Sequence, residues 1–158
     1  MLFVGDVVGS AGRRVIRSML GELRHELGAD FVVDNGENAS GGIGITPKHA
    51  NELFAAGADV ITLGNHTYRH REVWPYLQER REIIRPANFL ASQPGRGTAM
   101  IERGGVTLGV VNLAGNLYMN HAAPALLAAD VALNEVGQAD YVLVDIHAEA
   151  TSEKVALG

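Results

Sequence analysis

The sequence predicts an α/β fold on two observations: short apolar runs alternate with segments of helical apolar spacing through the first half, and a glycine-centred hairpin interrupts that rhythm in the middle. Met1 to Gly5 is the first apolar run, and Asp6 to Gly12 is the loop after it. From Arg13 to Leu27, apolar residues recur at Val15, Ile16, Met19, Leu20, Leu23 and Leu27, a helical spacing that Gly28 is placed to stop. The unit then repeats. Phe31-Val32-Val33 reads as a strand, Asn35 to Ile45 as a glycine-rich loop, and Thr46-Pro47 as a helix start, with Thr46 as the cap and Pro47 in the first turn. That helix runs to about Gly57. Val60 to Leu63 forms a third strand, Gly64 to His70 its loop, and Glu72 to Arg81 a third helix, with Pro75 near its beginning, where proline is tolerated. Such alternation demands parallel strands joined by right-handed crossovers, in a sheet covered on both faces. Functional groups then gather beyond the carboxyl ends of the strands.

The second half changes character. Ala99 to Arg103, the Gly104-Gly105 turn and Val106 to Leu113 read as a β-hairpin, which predicts a second, partly antiparallel sheet. Ala122 to Val136 is an alanine- and leucine-rich helix, and Tyr141 to Ile146 a buried strand ending at His147. Thr151 to Gly158 reads as a helix capped and begun, and two turns bury little apolar face. The expectation is a single domain over residues 1–158 that lacks its C-terminal part.

Composition narrows the chemistry. The chain is 47% hydrophobic and 20% charged, and no apolar run approaches the roughly 20 residues that span a bilayer. Its first residues lack the basic start and long apolar core of a signal peptide, so a cytoplasmic location away from membranes is expected. With no cysteine, disulfides, zinc-thiolate sites and thiol nucleophiles are excluded, and any metal must be held by oxygen and imidazole. Manganese, iron, magnesium and zinc suit such a shell. A net charge of −5 argues against duplex nucleic acid and points to a small substrate, while self-association into a homo-oligomer stays open.

The ends of the strands carry a recurring pattern. The first ends at Asp6, the second leads to Glu37-Asn38, the third to Asn65-His66 and the last to His147. Two carboxylates, two amides and two imidazoles form a hard-to-borderline ligand set in which one carboxylate can bridge two ions. Each residue also has a plainer reading: Asp6 and Glu37-Asn38 as turn residues, Asn65 as a helix cap, a lone histidine as packing or surface. Their recurrence at every strand end favours the joint reading. Gly5, Gly9 and Gly12 do not make a dinucleotide fingerprint, because Val7 stands where glycine is needed. That turn can still offer backbone N–H groups to a phosphate, and Gly41-Gly42-Ile43-Gly44 is a flexible segment near the site with the makings of a lid. Arg13 and Arg14 read as a solvated helix start, with phosphate contact as the alternative. His25, His49 and His70 read as exposed, Trp74 and Tyr76 as packing, and His121 as a weak substrate-side candidate.

Four segments together resemble the successive motifs of the YmdB-like family of bacterial metallophosphoesterases, within the calcineurin-like superfamily. They are Gly5-Asp6-Val7-Val8-Gly9, Asn35-Gly36-Glu37-Asn38-Ala39, Leu63-Gly64-Asn65-His66-Thr67 and the run from Asp145 to Lys154. Val8 stands where the wider superfamily has histidine, and Glu37 where it has aspartate, the substitutions that mark this branch. The resemblance implies a calcineurin-like sandwich of two mixed sheets flanked by helices and a dinuclear site holding iron or manganese. Asp6 and Asn38 would bind the first ion, Glu37 would bridge both, and Asn65 and His147 would bind the second. His66 would be the proton donor to the leaving oxygen. The implied substrates are phosphodiesters, including 2′,3′-cyclic nucleotides.

The family's closing Gly-Thr-His-Thr-His motif has no counterpart in these 158 residues. Without it each ion loses an imidazole, so weaker metal affinity and poor catalysis are expected of the chain itself. Two functions follow: a metal-dependent phosphodiesterase, or a non-catalytic nucleotide- or phosphate-binding regulator with an incomplete metal site.

Overall fold

The computed structural model describes residues 1–119 and 122–158, so His121 lies outside the described residues. Its first half is the expected alternation: β1 (Leu2–Val4), α1 (Gly9–Glu26), β2 (Val32–Asn35), α2 (Pro47–Ala56), β3 (Val60–Thr62), α3 (Val73–Glu79) and β4 (Ile83–Ile84). The four strands form one parallel sheet in chain order. Side chains alternate across it. Val32 and Ile61 pack outward with Ile16 and Leu20 of α1 and Leu53 of α2, whereas Val33 and Val60 point inward.

The hairpin is present as β5 (Thr98–Arg103) and β6 (Val106–Ala114), antiparallel around Gly104-Gly105, whose φ values of 61° and 79° need glycine. After α4 (Ala125–Glu135), β7 (Tyr141–His147) pairs parallel to β6, and α5 (Thr151–Leu157) follows. The second sheet is therefore mixed, with order β5-β6-β7. Ala99, Leu108 and Val110 meet Phe31, Val33, Val60 and Ile84 between the sheets, and α4 covers the outer face of the second sheet through Ala129, Ala132 and Val136. No helix among the described residues is long and apolar enough to cross a membrane.

Boundaries differ in places from the sequence reading. Helix α1 begins a turn before Arg13, because Gly9 N–H reaches the Asn38 carbonyl at 2.9 Å and Gly12 packs closely on Val7. Strand β4 is a two-residue element too short for periodicity to reveal. Helix α4 starts at Ala125 rather than Ala122, since Pro124 has extended backbone and serves as its N-cap.

Candidate active site

The strand ends do converge, and Glu37 is where they meet. Its carboxylate is 1% exposed. It sits 2.9 Å from His147 Nε2 and 3.8 Å from His66 Nδ1, and it accepts a hydrogen bond from the His66 backbone N–H at 3.3 Å. Asn38 closes the circuit: its Nδ2 donates to Asp6 Oδ1 at 2.8 Å, and its Oδ1 lies 2.8 Å from His66 Nδ1. Residues from the ends of β1, β2, β3 and β7 are thus joined in one polar cluster. Asp6 occupies it at a positive φ of 46°, a left-handed conformation that aspartate tolerates better than most residues.

Gly64 makes the cluster sterically possible. A Cβ built there would fall inside the Glu37 carboxylate and 2.6 Å from Cγ of the His147 ring. The glycine of the Gly64-Asn65-His66 segment is therefore needed for close approach. Behind it, Asn112 of β6 donates from Nδ2 to the Leu63 carbonyl at 2.6 Å and to the Ile84 carbonyl at 3.3 Å, tying the start of the loop to the second sheet. Thr67 donates to the Gly64 carbonyl at 2.6 Å and closes the turn.

A second polar layer lies beneath the cluster, and its roles were not legible in the sequence. Asn35 Nδ2 is 3.4 Å from both Thr62 Oγ1 and Asp145 Oδ2. Burial raises the Asp145 pKa, opposed by hydrogen bonds from Thr62 and Asn35. For His147, burial works against the charged ring, yet the hydrogen bond and charge of Glu37, helped by Asp145 and Asp6, outweigh it and raise the pKa. Asp34, one residue earlier on β2, is fully buried, and neither of its oxygens has a hydrogen-bond partner among the described residues. Burial, and then the charge of Asp59, raises its pKa from 3.8 to about 7. The signal available for this layer was Asn35, a polar residue closing an otherwise apolar strand, with Asp34 on the opposite, helix-facing side.

Asn65 stands apart. Among the described residues its side chain makes no hydrogen bond to the cluster, and it lines a cleft of about 630 Å³ beside it. Other elements take structural roles. Arg13 hydrogen bonds to Glu52 and the Ala39 carbonyl instead of facing solvent or a ligand. His49 is not exposed but half-buried, with Nδ1 2.6 Å from Ser40 Oγ, and His70 Nε2 lies 3.0 Å from the Ile43 carbonyl. Gly41 to Gly44 form a hydrogen-bonded turn, with Ser40 N–H on the Gly44 carbonyl at 2.9 Å and Gly42 N–H on the Asn38 carbonyl at 3.2 Å. The Gly9 N–H proposed for phosphate is already committed to Asn38. Glu153 anchors the loop after β6, accepting from the backbone N–H groups of Asn116 at 2.8 Å and Leu117 at 3.2 Å.

Among the described residues no three His, Cys, Asp or Glu side chains gather as a metal cluster. The donor set is instead carboxylate, amide and imidazole in combination. Asp6, Glu37 and Asn38 crowd together with only hydrogen atoms to relieve their oxygens, a chemistry that fits an oxygen-preferring cation. Asn38 would serve as a ligand once its carboxamide is reversed, with the oxygen where its nitrogen now lies between Asp6 and Glu37.

Comparison with known proteins agrees with this architecture. A 2′,3′-cyclic-nucleotide 2′-phosphodiesterase of Bacillus subtilis (strain 168) is 40% identical over 159 residues, covering 100% of this chain and 60% of that protein. The crystal structure of a hypothetical protein from Thermus thermophilus matches with a TM-score of 0.90 and 41% identity, over 98% of this chain and 60% of that one. A crystal structure described as a novel phosphatase of Mycoplasma pneumoniae matches with a TM-score of 0.83 and 33% identity, over 98% of this chain and 57% of that one. The chain thus spans about 60% of the length of the relatives it matches. Its fold is the metallophosphoesterase α/β sandwich. The sequence pattern of YmdB-like proteins matches residues 2–158, and the chain belongs to that family.

Proposed function

We propose that this chain forms the metal-binding part of a phosphodiesterase acting on small phosphodiesters such as 2′,3′-cyclic nucleotides. The observation that carries the reading is the buried Glu37 carboxylate, in reach of His147, His66 and Asn38 at once. The substrate class follows from the Bacillus subtilis relative, which is named for that activity. Asp6 and Asn38 would hold one ion, Glu37 would be shared with a second, and His147 would complete the second together with Asn65, whose side chain would turn in from the cleft it lines. Iron or manganese suits this nitrogen and oxygen shell, and magnesium or zinc is compatible with it. Such a pair of ions supplies a clamp for the phosphate oxygens and a water activated at neutral pH.

The chain's own residues do the rest. His66 is the general acid. Its Nδ1 is engaged by the Asn38 carboxamide at 2.8 Å, so Nε2 is the atom that carries the proton for the leaving oxygen. The ring acts as an imidazolium, giving up its Nε2 proton to the leaving oxygen while Nδ1 stays engaged by Asn38. Gly64 leaves the room that Glu37 and His147 need, and Asn112 holds its loop in place.

The test is hydrolysis of 2′,3′-cyclic nucleotides with manganese or iron added, by this chain and by a form extended to the length of its relatives. Turnover should vanish with a chelator, and His66→Ala should lower kcat by about 10²- to 10⁴-fold. Undiminished turnover in His66→Ala overturns the assignment of the acid. Nucleotide binding without turnover in the extended form would favour the regulatory reading instead.

A further inference from the structure

The cleft beside the Glu37 cluster is built for more than a phosphate. Its volume of about 630 Å³ is lined by Asn65, Tyr68, Phe89, Leu90, Gln93 and Ala123 among others. Asn65 belongs to the loop that carries His66, so the cleft and the cluster are continuous along two adjacent residues.

The aromatic side is fixed in advance. Tyr68 and Phe89 have ring centroids 6.2 Å apart at a tilt of 37°, and Trp74 packs edge-on against Tyr68 at 6.0 Å. The Tyr68 hydroxyl donates to the Pro94 carbonyl at 2.7 Å, which locks the ring. Asn88 also lines the cleft, and its Nδ2 donates to the Ala114 and Ala123 carbonyls, each at 2.7 Å. Asn88 therefore has no donor left for a ligand. Gln93 differs: its carbonyl oxygen accepts from Leu90 N–H at 3.1 Å, and among the described residues its amide nitrogen makes no hydrogen bond. Leu90 is 71% exposed at the mouth, an apolar side chain standing in water beside the aromatic pair.

A preset aromatic wall, an exposed apolar side chain and the free amides of Gln93 and Asn65, all next to a phosphodiester centre, match a heterocyclic base better than a sugar or a second phosphate. Among the described residues no Lys, Arg or His lines the cleft to attract an anion. We propose that it is the base subsite: the nucleobase lies against Phe89 and Tyr68, and the Gln93 amide donates to an acceptor on the base edge. This rests on the phosphodiesterase reading for the position of the phosphate. Stacking accepts any base, so the subsite selects nucleotides over base-free diesters rather than one base over another.

The experiment compares kcat/KM for adenosine 2′,3′-cyclic phosphate and for the base-free 1-O-methylribose 2′,3′-cyclic phosphate, in the form extended to the length of its relatives (the parent) and in its Phe89→Ala and Ala91→Trp variants. Ala91 is exposed in the same cleft, and tryptophan there fills it without removing a core contact. The parent should prefer the nucleotide by about tenfold or more, the worth of one stacked base, and both variants should collapse that ratio. A parent without preference, or a preference that survives in both variants, overturns the proposal. Should neither substrate turn over, the phosphodiesterase reading fails separately, and adenosine titrated against Trp74 fluorescence still judges the cleft. Quenching that Phe89→Ala weakens supports a base subsite. No response to adenosine in the parent rejects it.

Discussion

Gly64 and Asp34 show how single residues set the limits of this site. The space that Gly64 leaves empty is taken by the Glu37 carboxylate and the His147 ring, so Gly64→Ala must push one of them away. The expected result is loss of metal-dependent turnover by about 100-fold or more, on the scale that small displacements of catalytic groups produce. Metal content measured alongside activity checks it, and normal metal loading with normal turnover would refute it. Asp34 makes a different prediction. The folded chain holds its proton up to about pH 7, whereas an unfolded chain releases it near 3.8. Below the lower value the residue costs nothing through charge. Between about pH 3.8 and 7 the unfolded chain gives up this proton while the folded chain keeps it, so stability falls across that window at about 1.4 kcal/mol per pH unit, by on the order of a few kcal/mol, and levels off above it. Asp34→Asn should flatten that slope, as read from urea midpoints at about pH 5 and pH 8. An unchanged slope would mean that Asp34 is not the group responsible.

Between elements, the decisive contacts are buried amides rather than apolar packing alone. Asn112 on β6 reaches across to the carbonyls of Leu63 and Ile84, at the ends of β3 and β4, and binds the two sheets where the active-site loop begins. Truncation in Asn112→Ala leaves those carbonyls buried without a donor. A loss of about 1–3 kcal/mol in unfolding free energy is expected. A fall in turnover beyond what unfolding explains should accompany it, because the Leu63-Gly64 backbone is then free to shift. Equilibrium denaturation and steady-state kinetics on the same preparation separate the two effects.

At the scale of the whole molecule, ion binding and folding are coupled. The charge of Glu37 favours the protonated His147 ring, so an ion taking these ligands competes with a proton, and affinity should fall as pH is lowered. Manganese should raise Tm, with stabilisation growing as the logarithm of its concentration above Kd, to about 2.7 kcal/mol at a hundredfold excess. His147→Ala should abolish the rise, as differential scanning calorimetry would show.

The alternating pattern made the first sheet legible because each strand and helix there had its own periodicity and cap: Thr46 does accept from His49 N–H, and Gly57 does end α2 at a φ of 119°. The early start of α1 was hidden because glycine disfavours helix, and only contact with Val7 and Asn38 explains it. Of the proposed ligands, Asp6, Glu37, Asn38 and His147 could be placed together because strand ends meet at one edge of an α/β sheet. What Asn112 and Asn88 do was illegible, because an amide's value depends on which carbonyls another sheet brings within its reach.

The second sheet leaves β7 at its margin, with Val142 and Val144 on that strand partly exposed. An edge of this kind is a colloidal matter as much as a structural one, since it offers unpaired backbone groups and apolar surface to any other chain in the tube. Concentrated solutions of the 158-residue chain should therefore scatter light increasingly with time, and a lysine introduced by Val142→Lys should slow that growth without touching the polar cluster.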